Sequence, residues 1–92
     1  MTAIIATDVR VSGKVQGVSY RAFVQRAARR RKVTGWVRNM PDGTVNAHLE
    51  GPEDAVRGLI NDLRGGPPSA RVTDIEKVNA TPEGAQGFEI VG

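Results

Sequence analysis

The alternation of apolar and polar residues predicts three β-strands in the first half of the chain. Apolar and polar positions alternate over residues 5–12, 33–39 and 44–50. Such a period of two is typical of strands that bury one face and expose the other. Residues 40–43 contain a Pro-Asp-Gly turn signal. The second and third strands are therefore predicted to form an antiparallel hairpin.

Two other segments show the spacing of amphipathic helices. The first covers residues 20–31. In the second, residues 52–65, apolar side chains recur at i, i+3, i+4 and i+7 in the set Val56, Leu59, Ile60 and Leu63. Pro52 suits the first helical position, and Gly65 suits a left-handed residue at the helix end. We therefore expect two helices, each with an apolar stripe that needs a sheet to cover.

The last third of the chain gives weaker patterns. Residues 71–78 read as a fourth strand with irregular alternation, which indicates a bulge, and residues 88–90 read as a short closing strand after a loop. The order βαββαβ, with an extra strand, predicts an α+β fold of the ferredoxin-like type. In this fold two helices lie on one face of a mainly antiparallel sheet. We expect residues 1–92 to form a single domain, since no linker or repeat interrupts them.

Nine residues between the first strand and the first helix carry the candidate chemistry. The segment 13–21 reads Gly-Lys-Val-Gln-Gly-Val-Ser-Tyr-Arg, with Gly13 and Gly17 allowing tight backbone turns. Ser19 occupies the predicted N-cap, and backbone N–H groups of such a loop can converge on an anion at the helix N-terminus. Arg21 opposes the helix dipole there unless an anion is bound. The spacing predicts a phosphate-like ligand but matches neither common nucleotide motif.

Composition limits the classes of function that remain. The chain has no cysteine, which excludes disulfides and thiol chemistry, and no apolar run reaches the length of a membrane span. We expect a cytoplasmic protein without a signal peptide. The net charge is +3 and the pI about 10.0, which favours anionic ligands. Five basic residues end the first helix: Arg26, Arg29, Arg30, Arg31 and Lys32. They form either a solvated helix end or a patch that attracts an anionic substrate or nucleic acid.

Two stretches resemble the acylphosphatase family. Residues 13–21 match its pattern Gly-x-Val-Gln-Gly-Val-x-Phe/Tyr-Arg without a mismatch. Residues 35–45 match its hairpin pattern, with Trp36, Arg38, Asn39 and Gly43 in place and Gly51 following. The resemblance extends over the whole chain in element order and length, but it is specific only in the first 51 residues.

The resemblance implies a role for each residue of the site. Arg21 would hold the substrate's phosphate group, and Asn39 would position the water that attacks phosphorus. Backbone N–H groups would surround the same phosphate oxygens, from Val15, Gln16, Gly17, Val18, Ser19 and Tyr20. A guanidinium suits this role because its planar fork matches two phosphate oxygens. An amide can orient water without ionising.

The residues missing from both motifs narrow the substrate. Neither motif places a His, Asp or Glu beside Arg21 or Asn39, and no metal-ligand cluster is evident. Positioning and electrostatics alone suffice only for a good leaving group such as the carboxylate of an acyl phosphate. We therefore expect a hydrolase of acyl phosphates with no metal or other cofactor, inhibited by its product inorganic phosphate. We expect a monomer by default.

Two other classes of function stay open at this point. A basic ferredoxin-like domain can bind RNA on its sheet, although aromatic residues make up only 4% of this chain. A phosphate-binding or carbamoyl-phosphate-binding domain without catalysis is the second, because acylphosphatase-like domains occur in larger carbamoyl-transfer proteins. Outside the motifs, the lone histidine, His48, is expected on the solvent face of its strand. Trp36 is expected to be half-buried.

Overall fold

The computed structural model describes residues 3–92, and it contains two helices and five strands in the predicted order. No helix of this range is long and apolar enough to cross a membrane. The elements are β1 (Ile4–Lys14), α1 (Tyr20–Arg30), β2 (Thr34–Asn39), β3 (Val45–Pro52), α2 (Glu53–Gly65), β4 (Arg71–Ala80) and β5 (Phe88–Ile90).

The five strands form one sheet in the order β4-β1-β3-β2-β5. Neighbouring strands pair antiparallel except β2 and β5, which are parallel. Both helices pack on one face of this sheet, and the core lies between the two layers. Its most buried side chains include Val11, Val24, Leu49 and Leu59. The ferredoxin-like α+β prediction is confirmed, because each amphipathic helix covers the apolar face that the strand patterns predicted.

Element ends differ from the predicted ends where neighbouring strands extend the pairing. Strand β1 continues to Lys14 because Lys14 pairs with Arg71 of β4. Strand β3 continues to Pro52, which pairs with Ile4 and is the N-cap of α2 rather than its first helical residue. At the other end of α2, the positive φ falls on Gly66 rather than Gly65. These shifts of one or two residues leave the topology unchanged.

The predicted irregularity of the fourth strand is a bulge. Ser12 pairs with Asp74 but Gly13 pairs with Val72, so Thr73 is an extra residue on β4. A bulge of this kind bends the strand and increases its twist. It lies beside the point where β1 turns into the nine-residue segment, so it helps to set the direction of that segment.

The expectation that His48 is exposed was wrong. His48 lies on the outer face of β3, as the alternation predicted, but only 2% of its surface is exposed. The ring of Trp36, itself half-buried as expected, stacks on it with 5.9 Å between ring centroids. The carboxylate of Glu50, 3% exposed, lies beside it and binds backbone amides of the loop after β4. That loop therefore covers part of the sheet face that the pattern of β3 alone assigns to solvent.

Candidate active site

The segment between β1 and α1 begins at a close approach between two backbones. Gly13 has φ +121°, and a Cβ atom there would lie 2.1 Å from the carbonyl oxygen of Arg71. No residue with a side chain fits at that distance, so glycine is needed for both conformation and space. The glycine allows the chain to leave the sheet sharply after Lys14 and to begin the loop at Val15, which is buried.

The second half of the loop alternates through left-handed conformations. Gly17 has φ +73° and Ser19 has φ +62°. A positive φ is uncommon for serine and carries strain, and such residues cluster at functional sites. Alternating conformations of this kind turn successive N–H groups toward a common point, which forms a concave anion site. Among the described residues, no backbone acceptor receives a hydrogen bond from the N–H groups of residues 16–19.

Ser19 holds the N-cap position of α1, as predicted, but its side chain forms no capping hydrogen bond. The usual capping geometry needs an extended backbone at this position, which brings the hydroxyl back to the first helical turn. The left-handed backbone of Ser19 replaces that geometry. The predicted N-cap position is confirmed, and the first turn of α1 receives no hydrogen bond from the Ser19 side chain.

A pocket of about 200 Å³ brings the two motifs together. Its lining residues are Val15, Gly17, Ser19, Tyr20, Arg21, Ala22, Asn39 and Ile90. Arg21 reaches it from the first turn of α1, and Asn39 reaches it from the last residue of β2. Gln16 and Val18 were also predicted to contribute N–H groups, but neither lines this pocket. The half-buried Val18 side chain packs against the core instead.

The electrostatics of the pocket favour an anion. The first turn of α1 contains no acidic residue, and within residues 3–92 no carboxylate forms an ion pair with Arg21. The positive end of the α1 dipole and the guanidinium therefore add to each other at the same place. Holding two such charges together is unfavourable in an empty site, and a bound anion removes that cost.

Asn39 contributes a polar atom without a partner. Its side-chain oxygen is buried and forms no hydrogen bond with the described residues. Buried acceptors of this kind are rare in folded proteins and call for an explanation such as a bound water. The Asn46 side-chain oxygen is also buried without a hydrogen-bond partner, but Asn46 does not line the pocket.

Sequence reasoning missed the use of the Gln16 side chain. Its Nε2 donates hydrogen bonds to the carbonyl oxygens of Met40 and Thr44, each at 2.9 Å. Both carbonyls belong to the turn that follows Asn39. The pairing of a loop glutamine with a turn backbone is a long-range contact, so no local pattern reveals it. Gln16 thus connects the loop that carries the amides to the hairpin that carries the asparagine.

The described residues that line the pocket include no His, Cys, Asp or Glu. Tyr20 is the only one with a titratable hydroxyl, and it donates to the carbonyl oxygen of Leu63 at 2.8 Å. Burial raises the pKa of Tyr20 above its ordinary value. The pocket therefore offers hydrogen-bond donors, one fixed cation and one carboxamide, but no general base and none of the usual metal-binding side chains.

Comparison with known proteins agrees with this geometry. A family model described as acylphosphatase matches residues 7–90. The chain belongs to the acylphosphatase family. An acylphosphatase of Thermococcus kodakarensis is 48% identical over 88 residues, covering 96% of this chain and 97% of that protein. An acylphosphatase of Natronomonas pharaonis is 47% identical over 90 residues, covering 98% of each. The crystal structure of acylphosphatase from Bacillus subtilis superposes with a TM-score of 0.93 at 40% identity, covering 96% of this chain and 99% of that one.

The chain is thus an acylphosphatase, an enzyme that acts on acid anhydrides of phosphorus. Its substrate is a small molecule, and the nucleic-acid and purely phosphate-binding alternatives are not favoured.

Part of the basic cluster at the end of α1 is used for contacts inside the protein. Arg31 forms a two-point ion pair with Asp62 of α2, with N–O distances of 2.6 and 3.1 Å. Arg29 donates to the carbonyl oxygen of Phe88 at 3.4 Å. Two of the five basic side chains therefore bind within the protein.

Proposed function

We propose that Arg21 and the loop amides bind the phosphate group of an acyl phosphate, and that Asn39 orients the attacking water. The single observation that carries this assignment is the pocket in which Arg21, Asn39 and the loop meet. Arg21 supplies a permanent charge and a two-point hydrogen-bonding fork. The N–H groups of residues 15–20 supply fixed donors for the three equatorial oxygens of the transferring group.

The reaction is a single displacement at phosphorus. The water oxygen forms a bond to phosphorus while the bond between phosphorus and the acyl oxygen breaks. The bonding electron pair leaves with the carboxylate. Because the carboxylate is a good leaving group, the transition state is loose and its charge lies mainly on the phosphoryl oxygens. Arg21 and the amides stabilise that charge, and so they accelerate the step most.

The proton of the water goes to an oxygen of the substrate's own phosphate group. Support for this route comes from the lining of the pocket, which offers no carboxylate or imidazole as a base among the described residues. Asn39 accepts a hydrogen bond from the water through its otherwise unpaired side-chain oxygen. This contact fixes the water in line with the leaving group without removing its proton.

Hydrolysis of benzoyl phosphate and acetyl phosphate in the presence of a chelator tests the assignment. We expect turnover without added metal, and competitive inhibition by inorganic phosphate. Arg21→Ala and Asn39→Ala should each lower kcat/KM by about 100- to 1,000-fold, which is the usual cost of one transition-state donor. Both variants should have a far-UV circular dichroism spectrum and a midpoint of urea unfolding close to those of the wild type.

Two matched variants separate the site from general effects. Arg26→Ala removes an exposed arginine from the same helix. Asn46→Ala removes the other unpaired buried amide oxygen, which lies outside the pocket. Both should keep near-normal kcat/KM. The assignment is wrong if Arg21→Ala or Asn39→Ala retains near-normal activity, or if the controls lose as much activity as the site variants.

The remaining parts of the proposal concern the molecule as a whole. We infer that residues 1–92 act as one domain, as a monomer in the cytoplasm, and without binding nucleic acid. The lack of cysteine is compatible with a reducing compartment. Light scattering coupled to gel filtration should give the mass of one chain, 9.9 kDa. A single-stranded RNA should not shift the protein's mobility at about 0.15 M salt.

A further inference from the structure

A second cluster of charged groups lies on the sheet face opposite the helices. His48 of β3 is its centre, and both ring nitrogens contact carboxylates. Nδ1 lies 2.6 Å from Oδ1 of Asp8, and Nε2 lies 2.6 Å from Oε2 of Glu50. Since an ionised carboxylate only accepts hydrogen bonds, both ring nitrogens must carry hydrogen. This arrangement favours the imidazolium form of His48, whose ring is almost fully removed from water.

Glu50 uses its carboxylate in a second way. Its oxygens accept hydrogen bonds from three consecutive backbone amides, those of Glu83 at 2.7 Å, Gly84 at 3.2 Å and Ala85 at 3.3 Å. These residues belong to the loop between β4 and β5, which has no regular secondary structure of its own. The loop is thus attached to the sheet through one buried anion. That anion is stable there because the imidazolium lies beside it.

The attached loop leads directly into the strand that borders the active site. Phe88 of β5 is 1% exposed, and the strand pairs in parallel with β2. The last residue of β5, Ile90, lines the pocket that contains Arg21 and Asn39. Ala85, the last residue attached to Glu50, lies three residues before the start of β5, and Ile90 is at the other end of that three-residue strand.

We propose that His48 and Glu50 are positioning residues that fasten the 83–85 loop and thereby hold Ile90 at the substrate pocket, and that this contact opens when His48 loses its proton. We call His48, Glu50 and the backbone of residues 83–85 the loop clasp. The inference rests on the proposed function, because it assigns Ile90 to the part of the pocket that receives the acyl group. Arg21 and the backbone amides of residues 15–20 lie outside the clasp, so we expect phosphate binding to be unaffected by it.

The groups that face His48 determine its response to pH. Asp8 faces it from β1, Glu50 from its own strand and Glu83 from the loop, with Oε1 of Glu83 3.7 Å from Nε2. Trp36 of β2 presents only its ring. Burial disfavours the charged ring, but the hydrogen bonds and negative charges of Asp8, Glu50 and Glu83 outweigh it and raise the pKa of His48. The clasp is therefore closed below the ordinary histidine value of about 6.5 and opens as the pH rises through the raised value.

Glu50 sets the acid limit of the same clasp. Burial opposes the ionisation of Glu50, but the hydrogen bonds from the amides of the 83–85 loop and from His48 outweigh burial. They lower the pKa of Glu50 below its ordinary value. Its contribution to stability is therefore present above the ordinary glutamate value of about 4.3 and is lost as the pH falls through the lowered value. Between the two limits the imidazolium and the carboxylate are both charged, and the loop stays attached.

Trp36 offers a readout that does not depend on activity. It is the only tryptophan of the chain and stacks on His48 with an interplanar angle of 17°. We expect its fluorescence to change as the pH rises through the titration of His48, and His48→Gln to abolish the change. Glu83→Gln should move the midpoint to lower pH, because it removes a nearby negative charge but keeps the backbone amide. Arg21→Ala should leave the titration unchanged, so the clasp and the proposed function can fail separately.

Kinetics test the connection to the pocket. In His48→Gln we expect KM for benzoyl phosphate to rise about 5-fold, the lower end of the usual coupling between distant sites, with less change for acetyl phosphate and none in inhibition by inorganic phosphate. The wild type should show the same selective rise at high pH, whereas the variant should show no further rise. Arg26→Ala, which alters an exposed arginine outside the clasp, is the control and should behave as the wild type at neutral pH.

Three results would overturn the proposal. One is a wild-type Trp36 signal that does not change between pH 6 and the pH of alkaline unfolding. Another is a fall of kcat for both substrates in equal proportion, which indicates general destabilisation. The third is stabilisation of the wild type by zinc that Glu83→Gln abolishes, which indicates a metal site instead of a proton-dependent contact. The first measurement needs no variant, so it remains informative even if His48→Gln fails to fold.

Discussion

The side chain of Gln16 donates a hydrogen bond of 2.9 Å to the carbonyl oxygen of Met40, the residue directly after Asn39. A second bond of the same length reaches Thr44, whose carbonyl also accepts from the Met40 amide at 2.8 Å. One side chain therefore connects the loop that we propose binds phosphate to the turn that follows the asparagine. Catalysis that depends on positioning is sensitive to such a link.

We predict that Gln16→Ala lowers kcat by about 10- to 100-fold, since small displacements of reacting groups have effects of this size. The loop itself should still bind phosphate, so the inhibition constant of inorganic phosphate should change little. Initial rates with benzoyl phosphate give both values. Gln86→Ala, which alters an exposed glutamine, is the control. Equal losses in the two variants would contradict a specific role for Gln16.

Tyr20 should matter for stability rather than for chemistry. Its hydroxyl donates to the carbonyl oxygen of Leu63 at 2.8 Å and connects the two helices. Tyr20→Phe leaves that carbonyl without its partner, and we expect the free energy of unfolding to fall by about 1 kcal/mol. Urea denaturation measures this change, and kcat should stay within a factor of about 2. A large loss of kcat with unchanged stability would place the hydroxyl in the reaction.

Gly13 should tolerate no side chain. A Cβ atom would meet the Arg71 carbonyl oxygen at 2.1 Å, and the residue has φ +121°. We expect Gly13→Ala to destabilise the protein by about 2 kcal/mol or more. Gly65→Ala is the control, because nothing lies within 4 Å of its added Cβ, and alanine is the better helix former. It should leave stability unchanged or slightly higher. Similar losses from both substitutions would show that the contact with Arg71 is not the cause.

Local patterns explain how much of the fold the sequence predicts. Both helices and the β2–β3 hairpin come from regular spacing over 6 to 13 residues, and their positions agree to within two residues. Each of the two motifs concerns residues close in sequence, and the structure brings residues of both to one pocket. Ser19 is the N-cap of α1, as predicted, but its left-handed backbone and the missing side-chain bond are not indicated by the usual preference of serine for this position.

Contacts between distant segments explain what the sequence could not predict. His48 looked exposed because alternation describes one strand and its two faces, and it contains no information on what covers them. The loop amides that bind Glu50 lie 33 to 35 residues further along the chain. The two bonds of Gln16 span 24 and 28 residues. Both arrangements depend on the completed sheet.

The position of a phosphate ion in a crystal of this protein tests the central claim most directly. We expect the ion in the pocket between β1 and α1, with N–H groups of residues 15–20 and the guanidinium of Arg21 within about 3 Å of its oxygens. A water should lie between the ion and the Asn39 side chain. Phosphate bound only elsewhere, with Arg21 or Asn39 directed away from it, would contradict the account.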